Sequence, residues 1–118
     1  MSARPHTYLA LFALVALGLL AAGCTSLSVG DASYRNGSVQ VAITSPSEPA
    51  DAYVQVAVNQ VKDLQQTEVA FLGTPVILYQ GENVVSVPGE IAPAKYKLYV
   101  YVIQNNERKT AVIRDIVV

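Results

Sequence analysis

Apolar residues recur at every second position in several short stretches of this chain, and this spacing constrains the fold more than any other feature. A period of two is that of a β-strand with one buried face, whereas an amphipathic helix repeats about every 3.6 residues. Val39–Thr44 shows the alternation, and Tyr96–Ile103 shows it at greater length. In the longer stretch one face carries Tyr96, Leu98, Val100 and Val102, and the other carries Lys97, Tyr99, Tyr101 and Ile103.

Turn residues separate these stretches at intervals typical of a β-sandwich, about 8 to 12 residues apart. Pro46 and Pro49 have no backbone N–H to donate, so residues 45–51 are predicted to form a loop. The sequence therefore predicts an all-β fold: a small sandwich of immunoglobulin or transthyretin type with about six or seven strands over residues 38–118.

The middle and the end of the chain add further strand predictions. Val69 and Phe71 mark a short strand that Gly73 and Pro75 are expected to end. Beyond it the pattern predicts a hairpin of residues 76–79 and 84–87 around a turn at 80–83, a second tight turn at Asn105–Asn106, and a last strand over 110–118.

The stretch Tyr53–Leu64 is compatible with two structures. Its valines alternate as in a strand, but Val54, Val58 and Val61 also fit one stripe of a helix. Because β-branched and aromatic side chains suit a pleated surface better than a helix, we favour the strand. The change of apolar phase between Val58 and Val61 then predicts a β-bulge.

A separate apolar segment precedes all of this. Tyr8–Ala22 is uncharged, follows Arg4 and His6, and ends at small residues, which is the pattern of a secretory signal peptide over residues 1–23. A membrane-spanning helix needs about 20 apolar residues, and this run is shorter. A permanent transmembrane helix is therefore the less favoured interpretation.

Leu20–Cys24 resembles the lipobox of prokaryotic lipoproteins, although Ala21 stands where leucine is commonest. The resemblance implies cleavage between Gly23 and Cys24, acylation of Cys24, and location outside the cytoplasm on the inner or outer membrane of a cell envelope. Cys24 is the chain's single cysteine, and lipidation would remove an unpaired thiol from an oxidising compartment. Residues 24–37, rich in serine, glycine and asparagine, are predicted to form a flexible tether.

Two stretches of the domain resemble a family of extracytoplasmic lipoprotein domains known by the placeholder DUF4382. They are Val39–Val61, with its proline-containing loop, and Pro75–Val102, with a turn before a long strand. Ser45 replaces an acidic residue that is usual in that family, and Pro93–Tyr96 lacks its glycine. The resemblance implies a sandwich fold and an extracytoplasmic location, and it carries no assigned activity.

The residue inventory argues against an enzyme. His6, the one histidine, lies in the predicted signal peptide, so no triad, histidine-zinc site or other cofactor site is expected in the domain. Removing residues 1–23 takes away Arg4, one of 8 basic residues, and none of the 9 acidic ones, leaving a net charge of about −2. Nucleic acid is therefore not an expected partner. Ser45, Glu48 and Asp51 are too few for a calcium site and are interpreted as a solvated loop.

One group of side chains suggests binding. Tyr99, Tyr101 and Lys97 share a strand face, and such a face suits a sugar ring or a protein partner, although tyrosine is also an ordinary half-buried strand residue. Asn36–Ser38 matches a glycosylation acceptor, a short motif that occurs often by chance. The sequence therefore predicts a membrane-anchored structural or protein-interaction module of the envelope, with carbohydrate binding as the alternative.

Overall fold

The computed structural model describes residues 26–118, and within them the chain forms seven strands and no helix. The predicted all-β fold of about seven strands is confirmed. The predicted signal peptide over residues 1–23, with its cleavage site at Gly23, and the lipidation site Cys24 lie outside the described residues. The strands are β1 Ser28–Arg35, β2 Ser38–Ser45, β3 Ala50–Lys62, β4 Gln65–Leu78, β5 Gly81–Pro88, β6 Lys95–Gln104 and β7 Glu107–Val117.

The strands form two antiparallel sheets. Sheet A has the order β1-β2-β5, and sheet B has the order β4-β3-β6-β7. Three hairpins close with two residues in the left-handed region, a geometry that matches the twist of the flanking strands. Their turns are Asn36–Gly37, Asp63–Leu64 and Asn105–Asn106, and the last of these was predicted.

Side chains from the facing sides of the two sheets form the core. The predicted inward face of β6 is confirmed, because Leu98, Val100 and Val102 are completely buried. Alternate residues of the other strands meet them, and valine is the commonest. The fully buried set is Val39, Val41, Ile43, Val54, Val56, Val58, Leu78, Val87, Leu98, Val100 and Val102.

The prediction of a flexible tether over residues 24–37 is wrong for residues 28–35, which form β1. This strand pairs with β2 along its length, and Val29 is buried opposite Ile43. The missed signal is Asn36–Gly37, a dipeptide that strongly favours a two-residue hairpin turn. The Asn36 and Gly37 φ angles are 53° and 74°. The first strand of the sandwich therefore begins at Ser28, ten residues before the predicted start of the domain at residue 38.

The strand prediction is confirmed by β3 for residues 53–62, and Asp63–Leu64 form the turn that follows. A β-bulge is present, but it lies in β4 rather than in β3 as predicted. The β3–β4 register shifts between Val58 and Asn59, which pair with Ala70 and Glu68. The extra residue is therefore Val69 of β4, while β3 keeps its alternation. Val61 is 43% exposed because it lies on the outward face of β3.

The predicted break at Gly73 and Pro75 and the predicted hairpin at 76–87 are both wrong. β4 continues through both residues, which is possible because β4 is an edge strand, where proline is tolerated. At Leu78 the chain leaves sheet B and enters β5 of sheet A. The Asn83 side chain holds this crossing, because it donates to the Ile43, Tyr79 and Gly81 carbonyls and accepts from the Tyr79 N–H.

The connections sort into two ends of the sandwich. At the first end, β1 begins at Ser28 opposite Thr44, near the 45–50 loop and the Asn105–Asn106 turn. At the second end lie the Asp63–Leu64 turn and residues 88–95, which link β5 to β6. We call these the Ser28 end and the Leu64 end.

Candidate functional site

The outward face of sheet B carries side chains that pair across all four strands. In its central row, Phe71 of β4 pairs with Ala57 of β3, Ala57 with Tyr99 of β6, and Tyr99 with Ile113 of β7. The next row toward the Ser28 end is Gly73, Gln55, Tyr101 and Ala111, and the row beyond it is Pro75, Tyr53, Ile103 and Arg108. We call this surface the outer face of sheet B.

Large apolar side chains on this face remain open to solvent. Each of these side chains is between 39% and 76% exposed. The solvent-facing side of an antiparallel sheet usually carries polar residues instead. Exposed apolar side chains gathered on one face of a sheet are a feature of interaction surfaces. The residues are Tyr53, Val61, Phe71, Ile77, Ile113 and Val117.

The outward face of sheet A is polar by comparison. Its side chains include Ser33, Gln40, Thr44 and Ser86, and the Ser86 hydroxyl donates to the Gln40 amide oxygen at 2.7 Å. Val84 is its one exposed large apolar residue among the described positions. The two sheets therefore present different chemistry to their surroundings.

The predicted residues Tyr99, Tyr101 and Lys97 do share this face, and each has a partner within the chain. The Tyr99 hydroxyl donates to Gln66 Oε1 at 2.7 Å. Because Gln66 belongs to β4, the Tyr99 side chain reaches across β3. It thereby covers Ala57, which is buried although it lies on the outward face.

The other two predicted residues are held by side chains of β7. The Arg108 guanidinium carbon lies 4.1 Å from the centre of the Tyr101 ring, a cation–π contact that covers one ring face. The Lys97 ammonium lies 3.5 Å from Asp115 Oδ1. The prediction placed these residues on one surface, but their intramolecular partners take up part of their binding capacity.

Sequence reasoning missed the residues that make the face apolar. Tyr53, Phe71, Ile77 and Ile113 lie on three strands. Their position on one face follows only once the pairing of β4, β3, β6 and β7 is known. The signal in the sequence was that apolar residues also occupy the alternate positions of these strands. Those positions face solvent and are usually polar when only one side of the sheet is buried. The Tyr53 ring lies over Gly73, so that a Cβ at Gly73 would collide with it.

The loop that was considered for calcium contains no cluster of ligands. Ser45 is buried and its hydroxyl lies 3.4 Å from that of Ser47, while Glu48 and Asp51 are exposed. Over residues 26–118 no group of three or more histidine, cysteine, aspartate or glutamate side chains is arranged to hold a metal ion. Asn36 of the glycosylation-like triplet is an exposed turn residue.

The described part of the chain also has no helix with the length and apolarity to cross a membrane. No protein-family model matches the chain, and a comparison with curated proteins likewise finds no match. The resemblances to the lipobox and to DUF4382 therefore stay predictions. The fold and the outer face of sheet B are the basis for the functional proposal.

Proposed function

We propose that this protein is a membrane-anchored, non-enzymatic module of a cell envelope that binds a partner protein through the outer face of sheet B. The observation that carries the proposal is the difference between the two outward faces. Sheet A presents polar side chains, whereas sheet B presents six large apolar ones that water contacts unless a partner covers them. Removing apolar surface of this kind from water contributes about 25 cal/mol per Å², before the entropic and desolvation costs of association are subtracted.

The anchor in this proposal is Cys24. Cleavage between Gly23 and Cys24 would leave the cysteine at the new amino terminus, where a thioether and an amide link would add two or three acyl chains. One chain binds a membrane marginally, and two hold a protein stably. The membrane is thus one partner, reached through lipid and without a contribution from the sandwich.

The chemistry of the described residues supports binding rather than catalysis. Residues 26–118 contain no histidine or cysteine, so the usual nucleophile and base pairs cannot be assembled there. The carboxylates are spread over both sheets and the loops, and no three of those described are grouped so that they could hold a metal ion. A rigid sheet with an apolar face is a common way to present a protein-binding surface.

The first test is site-specific photo-crosslinking in the native host. A photoreactive amino acid at Phe71 or Ile113 is expected to give discrete adducts with another envelope protein. The same amino acid at Ser86 or Gln40, on the polar face of sheet A, is the matched control and is expected to give none. Identical adducts from both faces, or adducts from sheet A alone, would contradict the proposal.

Carbohydrate binding is the second candidate, favoured by the neighbouring Tyr99 and Tyr101 rings beside Lys97. Against it, sugar recognition by stacking needs free ring faces, and Arg108 covers one face of Tyr101. A glycan array probed with the wild-type protein and with a Tyr99→Ala/Tyr101→Ala variant separates the two candidates. Specific glycan binding that the double substitution abolishes would favour the carbohydrate function.

A further inference from the structure

A groove of about 320 Å³ lies where the outer face of sheet B meets the Leu64 end. This volume falls near the lower limit of ordinary ligand pockets, which begin at about 300 Å³. Its lining combines apolar and charged residues from β3, β6 and β7. They are Val61, Lys95, Tyr96, Lys97, Asp115, Ile116 and Val117.

The groove exists because the β3–β4 hairpin is longer than β6. Pairing between β3 and β6 stops at Gln60 and Tyr96, whereas β3 and β4 stay paired as far as Lys62 and Gln65. Val61 is the first residue of β3 beyond this pairing, and it lines the groove together with Lys95 at the start of β6. Val117 forms the other apolar wall and is 76% exposed.

Two lysines border this apolar floor. Lys97 is paired with Asp115, whose side chain is 80% exposed and remains open to solvent on its other side. Lys95 makes no ion pair with any residue of the described chain, and it lies opposite Val117 in the β6–β7 register. The groove thus presents one free cation, a second cation shared with Asp115, and two exposed valines.

The adjoining turn adds a further apolar side chain at this end. Leu64 is fully exposed, at 102% of its reference area, and its φ angle is +65°. A left-handed conformation costs a residue with a Cβ roughly 1–2 kcal/mol, so this position is occupied by a leucine at a cost in stability. Strained residues of this kind are concentrated at functional sites.

We propose that this groove binds an acidic, apolar segment of the partner protein, with a carboxylate at Lys95 and Lys97 and a neighbouring aliphatic or aromatic side chain on Val61 and Val117. The inference rests on the proposed function and names the chemistry of the partner at one end of the same face. Charge complementarity selects this occupant, because a neutral glycan would leave Lys95 unpaired.

A random peptide library displayed on phage tests the proposal, with the lipidated mature protein in detergent micelles as the target. Enriched peptides are expected to carry aspartate or glutamate next to leucine, isoleucine or phenylalanine. A synthetic copy of one such peptide is expected to bind Lys95→Gln about two- to five-fold more weakly than wild type, the range of one exposed ion pair. Higher salt should reduce this difference.

Lys62→Gln is the matched control, because Lys62 lies at the same end of the sandwich, has the same charge as Lys95 and does not line the groove. Its affinity is expected to equal that of wild type. One outcome would overturn the groove proposal and leave the function of the face intact. In it, the peptides show no acidic preference, bind Lys95→Gln as well as wild type, and fail to bind Phe71→Ser/Ile113→Ser. Peptides that bind this double variant and Lys95→Gln both as well as wild type would overturn both.

Discussion

Arg114 shows how one residue joins the two sheets at the edge of the sandwich. It lies on the core-facing side of β7, and its guanidinium donates from Nη2 to the Val29 carbonyl at 2.7 Å and from Nε to the Gly30 carbonyl at 2.8 Å. Both carbonyls belong to β1, where the register with β2 shifts. An inward-pointing charge on an edge strand also opposes pairing with other chains.

We expect Arg114→Met to lower the free energy of unfolding by about 1–3 kcal/mol, since hydrogen bonds to a charged donor are lost and the carbonyls of β1 lose their partner. Arg108→Met is the control, because that guanidinium contacts the Tyr101 ring at the surface and contributes at most about 1 kcal/mol. Denaturant unfolding of both variants checks this. Equal losses in the two would contradict the role given to Arg114.

A substitution at Leu64 is expected to stabilise the protein, in contrast to the loss expected for Arg114→Met. Leu64→Gly is expected to raise the free energy of unfolding by about 1 kcal/mol, because glycine adopts the left-handed conformation without a Cβ penalty. Leu64→Ala keeps the strain while it removes the apolar side chain, so its stability is expected to stay near that of wild type. A Leu64→Gly variant less stable than wild type, by the same unfolding measurement, would show that the turn is not strained.

At the scale of the element, β6 and β7 have two faces with different tolerance to charge. Val100 is completely buried, so Val100→Asp would place a carboxylate in the core and is expected to cost more than about 4 kcal/mol, enough to abolish cooperative melting. Ile113 is 52% exposed on the outer face of sheet B, and Ile113→Asp is expected to change stability by less than about 1 kcal/mol.

Thermal unfolding of both aspartate variants provides the comparison. Cooperative melting of Val100→Asp within a few degrees of wild type would contradict the placement of the core. The Ile113→Asp variant is also useful for function, because it adds a charge to the proposed binding surface while the fold is retained.

The elements also show what the sequence could and could not predict. The face of β6 was predictable because alternation over a whole strand decides which side chains are buried. β1 was missed because Gly30, Asp31 and its serines resemble a linker, although Asn36–Gly37 was a turn signal. The passage from β4 to β5 was predicted as a hairpin because short-range turn chemistry does not specify which sheet a strand joins.

The candidate site was only partly predictable for the same reason. Tyr99, Tyr101 and Lys97 lie on one strand, so their shared face follows from the period of two. Phe71, Tyr53 and Ile113 belong to other strands. Their placement on the same face depends on the pairing register, which the extra residue Val69 shifts in β4. The groove depends on the unequal lengths of β3 and β6.

At the scale of the whole molecule, the proposed anchor would orient the sandwich. Three residues separate Cys24 from Ser28, so the two Cα atoms lie at most about 15 Å apart. Leu27 already packs against the core, which shortens the free chain further. The Ser28 end would therefore lie beside the membrane. The 13 residues of β3 would carry the Leu64 end about 40 Å away.

A fluorescence measurement tests this orientation. Single cysteines at Glu48, near the Ser28 end, and at Lys62, near the Leu64 end, can be labelled because lipid would occupy the thiol of Cys24. In vesicles with a quencher on the lipid headgroups, the label at Glu48 is expected to be quenched more strongly than the label at Lys62. Equal quenching, or stronger quenching at Lys62, would contradict the orientation.

In the proposed function, lipid on Cys24 anchors this sandwich to a membrane. Intact-mass and peptide mass spectrometry of the protein from its native host measures that claim directly. We expect a mature chain that begins at Cys24 and carries the added mass of two or three acyl chains. A mature chain that begins at Ser2 or Thr25, or one with an unmodified Cys24 thiol, would contradict it.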